Sequence, residues 1–268
     1  MREICLKILS WNLHGLAWPL SKDPGVRMDR VSAKVRELSP DILLLQEVWL
    51  GSLVDRLATA LQQDWMPTYS KRRGGGPRGG LLTFLRASAG WRAVSSPDFD
   101  AFTVSAPVWK IWEGDGLGRK GVLSVELENG EQRICAINTH LQSQYSGSNY
   151  AKVREAQLIE LGKVVSQFHP SLPALVAGDF NTDFRESLYA HVKALGTDLT
   201  AEARAPGNPG TTVNPRGGRP EWIDYIVAAN SLTWDVSAHL ALIANQSADV
   251  PYSDHSGLFC TVRIAPRD

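Results

Sequence analysis

Eight polar side chains in this sequence have types suited to chemistry on an oxygen-rich substrate: Asn12, Glu47, His140, Asp179, Asn181, Asp224, Asp254 and His255. The stretch Ala174-Leu175-Val176-Ala177-Gly178-Asp179-Phe180-Asn181 sets the pattern. An apolar run of strand type stops at a glycine, and a carboxylate and a carboxamide follow two positions apart. In a strand, positions i and i+2 point to the same side. If extended geometry persists, both groups leave the strand end together. Gly-Asp-x-Asn is also an ordinary turn sequence. Four other strand-like runs end in the same way, however, among them those that stop at Trp11-Asn12, Gln46-Glu47 and Thr139-His140. Singly, each polar residue has a plain structural explanation as a cap, a turn or a solvated group. Jointly they call for a shared purpose. A glutamate flanked by carboxamides suits a hard cation such as Mg2+, which takes oxygen ligands and keeps several waters. Histidines suit phosphate contact and proton transfer. Water attack on a phosphodiester needs a metal on a non-bridging oxygen, a base for the water, and donors for the charge that builds.

The elements that must position these groups are short. Residues 3–10 alternate as a strand that ends at Trp11–Gly15. Residues 27–38 have helical spacing and stop before Pro40. Residues 41–45 form a buried strand, 51–63 a short amphipathic helix, and 81–85 a strand that follows a glycine-rich loop at 71–80. Strands at 121–127 and 133–138 flank an Asn129-Gly130 turn signal. Residues 151–168 are the clearest helix, with Val153, Gln157, Leu161 and Val164 near one stripe. The 174–181 strand, a helix near 185–195, a Gly/Pro-rich loop at 205–220, and strands at 222–227, 232–242 and 256–264 complete the chain. In this reading Asp224 is the one candidate that could lie within a strand. Many short strands with few helices between them predict two packed sheets flanked by helices in a single domain, 1–268.

The 268 residues suffice for a sizeable core. Hydrophobic content of 43% with 21% charged residues is that of a soluble globular protein. Zero formal net charge argues against a nucleic-acid coat protein, though a local basic patch can still bind phosphate. Cys5, Cys135 and Cys260 are far apart in apolar runs, without zinc spacing, and read as reduced core residues. The N-terminus is too short and too charged for a signal peptide, and no run approaches a membrane span. A cytoplasmic location is expected, or secretion if a leader precedes the chain.

Ser-Trp-Asn-Leu-His-Gly, Leu-Leu-Gln-Glu-Val, Asn-Thr-His-Leu, Gly-Asp-Phe-Asn, Ile-Asp-Tyr and Ser-Asp-His occur in that order between residues 10 and 255. This series resembles the ordered motifs of the endonuclease/exonuclease/phosphatase superfamily. The resemblance implies an α/β fold, a four-layered α-β-β-α sandwich of two mostly antiparallel sheets with the site at one edge. It implies Mg2+, or Mn2+, held mainly by Glu47, with Asn12 nearby and Asp254 assisting. Asp179 and Asn181 would hold the attacking water and the phosphate, Asp224 would orient His255, and His140 would contact the phosphate. Either His255 or Asp179 is the general base, with His255 preferred.

His14 and His140 stand where abasic-site endonucleases carry an acid and a tyrosine. The stretch 112–122, ending in Arg119-Lys120-Gly121-Val122, and the stretch Thr139–Tyr145 resemble segments of neutral sphingomyelinases. They imply a role for Lys120 in substrate binding and favour a sphingomyelinase-like phospholipid headgroup. A nuclease acting on DNA or RNA is the alternative, and a catalytically silent binding module the third reading. Lys71, Arg72, Arg73 and Arg78 form a basic lip that could attract a polyanion or a membrane surface. Trp109, Trp112 and Trp222 could stack on a base or a choline headgroup. The expected partner is the phosphodiester substrate alone, and the expected state is a monomer.

Overall fold

The computed structural model of the chain describes residues 3–17, 20–73, 75–106, 119–145, 149–170, 172–204, 210–212, 219–229, 234–243 and 250–266. Strand β1 (Ile4–Gly15) shows how its layers arise. Its side chains alternate: Ile4, Leu6 and Ile8 enter one core, and Leu9, Trp11 and Leu13 enter another. The second core is closed by helices α1 (Pro24–Leu38) and α2 (Gly51–Leu61). Helix α1 starts with proline in its first turn, where no N–H is needed, and stops at Ser39 in a left-handed conformation before Pro40. Met28, Val31 and Val35 on α1, and Leu53, Val54, Leu57 and Leu61 on α2, recur at three- and four-residue spacing and cover the strands. Strand β2 (Ile42–Val48) is apolar at successive positions because both its faces are covered.

The first sheet is completed by β3 (Trp65–Thr68) and β4 (Leu82–Arg86) on one side and by β12 (Trp234–Ile243) and β13 (Gly257–Pro266) on the other. Its order is β12-β13-β1-β2-β4-β3. The second sheet runs β10-β11-β9-β8-β7-β5, with β6 also paired to β7. It comprises β5 (Arg92–Ala93), β6 (Asp98–Ala101), β7 (Gly121–Asn129), β8 (Gln132–His140), β9 (Ala174–Asp179), β10 (Gly196–Asp198) and β11 (Asp224–Ala229). Helices α3 (Ala151–Gln167) and α4 (Tyr189–Leu195) join its core. Among the described residues each sheet has one parallel pair, β1–β2 and β8–β9, and the other pairs are antiparallel. The layers are therefore helices, sheet, sheet, helices, as expected. Among the described residues no helix is long and apolar enough to cross a membrane.

Several expectations need correction. Strands β3, β5, β6 and β10 were not foreseen; they have two to four residues, too few for a period to register. The stripe on α3 is centred on Arg154, Gln157, Leu158, Leu161, Val164 and Val165, one residue away from Val153. Helix α4 begins only at Tyr189. Cys5 is exposed, because it lies near the start of β1, where the neighbouring alternate position Lys7 is also exposed.

A buried polar clamp ties the two sheets together. Gln46 on β2 donates to Asn138 Oδ1 on β8 at 2.8 Å, and Asn138 donates back to the carbonyls of Leu45 at 3.0 Å and Leu82 at 3.3 Å. Both residues are wholly buried, so removing one partner strands the other groups away from water. Asn138→Ala is expected to lower unfolding free energy by about 2–3 kcal/mol in urea titrations. A loss below about 0.5 kcal/mol would mean that the clamp does not hold the sheets.

Candidate active site

One row of side chains lies on the second sheet. Asp224, which opens β11, is in register with Asp179 at the end of β9, and Asp179 is in register with His140 at the end of β8. Cross-strand partners point to the same side. Two carboxylates and an imidazole therefore share one face. Asn138, two residues before His140, is on that face and reaches the first sheet, so the row is turned inward.

The first sheet answers with Asn12 and Glu47. Asn12 follows Ile4, Leu6 and Ile8 in the alternation and points between the sheets. Its Nδ2 donates to Glu47 Oε1 at 3.0 Å and to Asp179 Oδ2 at 2.9 Å. Glu47 should not be there by alternation, since Leu43 and Leu45 face the helices. Two features of the backbone re-aim it. Asn12 pairs with Gln46 but Gly15 pairs with Val48, so β1 carries one extra residue in a bulge. Within this irregularity His14 and Glu47 both take a positive φ, 47° and 58°. Such strain in non-glycine residues costs on the order of 1–3 kcal/mol and clusters at functional sites.

His255 comes from the segment before β13. Trp11 Nε1 donates to its carbonyl at 2.9 Å, Ser253 Oγ donates to the Asn12 carbonyl at 2.6 Å, and the Ser256 N–H donates to the Thr211 carbonyl at 2.7 Å. Thr211 Oγ1 accepts the N–H groups of Ile223 and Asp224. The result is a 2.8 Å contact between His255 Nδ1 and Asp224 Oδ2, the pair anticipated from the sequence. With Nδ1–H donating to the carboxylate, Nε2 faces Asp179 Oδ2 at 3.8 Å.

Burial and the neighbouring Asp224 push Asp179 up to about 7, against the pull of His255, Lys120 and the Asn181 N–H. Burial works to lower the pKa of His255, but Asp224, Asp179 and Asp254 outweigh it and hold the ring well above the ordinary histidine range. His140 goes the other way: burial, then Lys120, then His255 keep it well below that range. Lys120 Nζ lies 2.9 Å from His140 Nε2 and also donates to the Leu141 carbonyl and Ser143 Oγ. An ammonium donating to Nε2 leaves the His140 proton on Nδ1, which is buried without an acceptor.

Some candidates are placed otherwise than expected. Extended geometry does not persist from Asp179 to Asn181, whose φ is 47°. The Asn181 N–H donates back to Asp179 Oδ1 at 2.8 Å, and its amide donates to the Leu141 carbonyl at 2.9 Å. Asn12 lies within β1 and Asp224 at the start of its strand, the reverse of the expectation. Asp254 sits at the rim, 3.5 Å from the His14 ring. Trp222 is 2% exposed and packs in the core, so it presents no face for stacking on a substrate. Arg72 and Arg73 are exposed. Trp109 and Trp112 lie outside the described residues.

Glu47, His140 and Asp179 offer ligand atoms within 4.8 Å of one another, as do Asp179, Asp224 and His255. Asp224 and His255 already satisfy each other, and Lys120 places a positive charge beside His140. A hard cation therefore fits best on the side of Glu47, whose carboxylate keeps contact with solvent and leaves room for metal-bound water. Asn12 in its present orientation is a donor that holds the carboxylates, and its oxygen accepts the His14 N–H.

Supporting residues to which sequence reasoning gave no role of their own include Thr211, Ser253 and Asp183. Asp183 stands four residues past Asp179, and that spacing was the available signal. It accepts the Trp222 N–H at 2.9 Å and holds the Arg185 N–H and guanidinium, joining the end of β9 to the start of β11.

The family described as "Endonuclease/Exonuclease/phosphatase family" matches residues 9–255. Nocturnin of Mus musculus is 24% identical over 215 residues, 73% of this chain and 48% of its own length. Inositol phosphosphingolipids phospholipase C of Schizosaccharomyces pombe is 28% identical over 181 residues, 66% of this chain and 41% of its own length. The chain thus spans about half the length of the curated relatives it matches. Among solved structures, D. rerio TDP2 complexed with single strand DNA product superposes with a TM-score of 0.74 at 19% identity, covering 96% of this chain and 98% of that one.

Burial raises the Asp183 carboxyl, but the Arg185 side chain and the N–H groups of Arg185 and Trp222 outweigh it and hold the carboxyl below the usual range. A group depressed on folding contributes stability above its unfolded value, about pH 3.9, and loses it as pH falls through the folded value. Urea titrations from pH 5 to pH 3 are expected to show a shallower acid loss for Asp183→Asn than for the parent. Equal slopes would mean that Asp183 does not link the two strands.

Proposed function

The chain belongs to the endonuclease/exonuclease/phosphatase family, and from that premise we propose that it hydrolyses a phosphodiester by in-line attack of water with Mg2+ or Mn2+ as cofactor. The observation that carries this reading is the Asp224–His255 contact at 2.8 Å, facing Asp179 and close to Glu47, Asn12 and His140. Glu47 and Asp179 would hold the cation, with Asp254 at the rim. When bound, it supplies charge stabilisation on a phosphoryl oxygen.

In its neutral form His255 takes the proton of the attacking water at Nε2 as the new P–O bond forms; the ester P–O bond opposite breaks, and the leaving oxygen takes its proton from solvent. Asp224 fixes the tautomer and stabilises the imidazolium that forms, as a buried carboxylate does for other catalytic histidines. Asp179 and Asn181 orient the water and the phosphate. Lys120, held beside neutral His140, brings a positive charge to the phosphate side of the cleft. The substrate is a phosphodiester. A phospholipid headgroup is supported by the likeness of Thr139–Tyr145 to sphingomyelinase motifs and by the phospholipase C among the relatives. A nucleic acid is supported by the exposed arginines of the basic lip. A panel of bis(p-nitrophenyl) phosphate, choline phospholipid vesicles, single-stranded oligonucleotides and plasmid separates these readings.

Two outcomes are expected. His255→Ala should abolish turnover of bis(p-nitrophenyl) phosphate in a folded protein, and Asp224→Asn should lower kcat by about 10³–10⁴-fold by favouring the wrong tautomer. An active His255→Ala enzyme would remove that residue from the chemistry. Glu47→Gln keeps shape but loses charge. It should lower turnover at least ~100-fold and weaken Mg2+ binding measured by calorimetry. Unchanged binding and rate would place the cation elsewhere.

A further inference from the structure

Beside the cleft lies a second concavity of about 240 Å³, lined among others by Trp49, Arg72, Arg78, Gly79, Phe99 and Arg119. That is room for roughly eight waters. It adjoins the site through the chain itself. Trp49 is two residues past Glu47, at most about 7 Å along the backbone, and Arg119 immediately precedes Lys120.

Its three arginines lack the carboxylate partner that several others in this molecule have. Arg56, Arg86, Arg154, Arg185 and Arg204 each hold a carboxylate. Among the described residues Arg72, Arg78 and Arg119 have no carboxylate within ion-pair distance, although Arg78 pulls the Asp100 carboxyl downward against its burial. Three unpaired guanidinium groups around one hollow repel each other unless an anion joins them.

The hollow is built rather than accidental. Arg72 Nε donates to the Gly75 carbonyl at 2.9 Å and its NH2 group to the Trp49 carbonyl at 3.4 Å, which fixes its fork. The Arg78 guanidinium lies 4.6 Å above the Phe99 ring. Gly79 and Gly80 both take positive φ. A Cβ on Gly79 would come within 2.6 Å of Phe99, and one on Gly80 within 2.9 Å of the Trp49 indole. The loop backbone thus seats both rings flush. Phe99 is buried and serves Arg78, while Trp49 is only half-buried and keeps indole surface toward the hollow.

We propose that this concavity binds the nucleotide next to the scissile phosphodiester of a single-stranded nucleic acid, its phosphate on Arg72, Arg78 and Arg119 and its base on Trp49. The assignment rests on the phosphodiesterase reading of the neighbouring cleft and names its substrate class. Guanidinium forks match phosphate oxygens, and an indole stacks on any base. A choline headgroup is excluded by the same charges, since its quaternary ammonium would face three cations. An inorganic or polyol phosphate would leave the indole idle.

Binding can be tested apart from catalysis. Fluorescence anisotropy of a short fluorescein-labelled oligothymidylate is measured across a salt series for the parent, Arg78→Ala, Arg119→Ala and Trp49→Ala, with thermal melts to confirm folding. Each arginine variant is expected to bind at least about 5-fold more weakly and to flatten the slope of log affinity against log salt by about 0.7. Trp49→Ala should weaken binding by about 10-fold with the slope kept. Hydrolysis of bis(p-nitrophenyl) phosphate, which has no second phosphate, should change less than about 2-fold in all three. Equal oligonucleotide binding by parent and variants overturns the proposal, as does loss of binding to choline phospholipid vesicles without loss on the oligonucleotide. A parent that fails on bis(p-nitrophenyl) phosphate with Mg2+ and Mn2+ overturns the reading of the cleft, while the anisotropy still decides on the concavity.

Discussion

The double hydrogen bond of the Asn12 amide is the constraint on which the site depends. Its Nδ2 reaches Glu47 on its own sheet and Asp179 on the other. Two carboxylates that converge from separate layers repel, and a donor shared between them lets them remain close. The same sheets are locked farther in by Gln46 and Asn138. Polar groups buried between two sheets are costly unless they satisfy one another. The inter-sheet space therefore changes character along its length, from the apolar core around Ile4, Leu6 and Ile8 to a polar end at Asn12.

At that end the charges sort themselves by neighbour. Asp224 and Asp179 are directly opposed across a strand pair, an arrangement that is unfavourable without a positive partner. His255 supplies one for Asp224, and Lys120 brings a positive charge beside His140. Of the two histidines, the one touching a carboxylate is held toward its charged form and the one touching an ammonium toward its neutral form. The two rings therefore differ in charge within one cleft. Outside it the basic lip gathers unpaired arginines in a chain whose formal net charge is zero. Overall charge is a poor guide to what a local surface attracts.

Much of this was legible in the sequence because it depends on local order. Apolar alternation and buried runs located the longer strands and helices. The residues that end those runs, Asn12, Glu47, His140, Asp179 and Asp224, were visible as polar types out of place. The ordered motifs from residue 10 to 255 pointed to the fold and the family. The pairing of Asp224 with His255 could be anticipated, since a carboxylate among apolar neighbours requires a partner.

Other features belong to the tertiary structure alone. Period-two reasoning puts Glu47 under the helices; only the bulge in β1 and a positive φ turn it into the cleft. Asn181 leaves the strand geometry for the same kind of reason, a left-handed residue that no alternation pattern encodes. Trp222 looked like a stacking surface and is a core residue, because burial depends on what packs over a side chain. The row Asp224–Asp179–His140 is a matter of register between strands far apart in the chain, and so is the meeting of Trp49 with the arginines of the lip. Sequence by itself determined which chemical groups exist and which elements carry them. Distances between those groups were decided by strand register and backbone strain, which depend on contacts between residues remote in sequence.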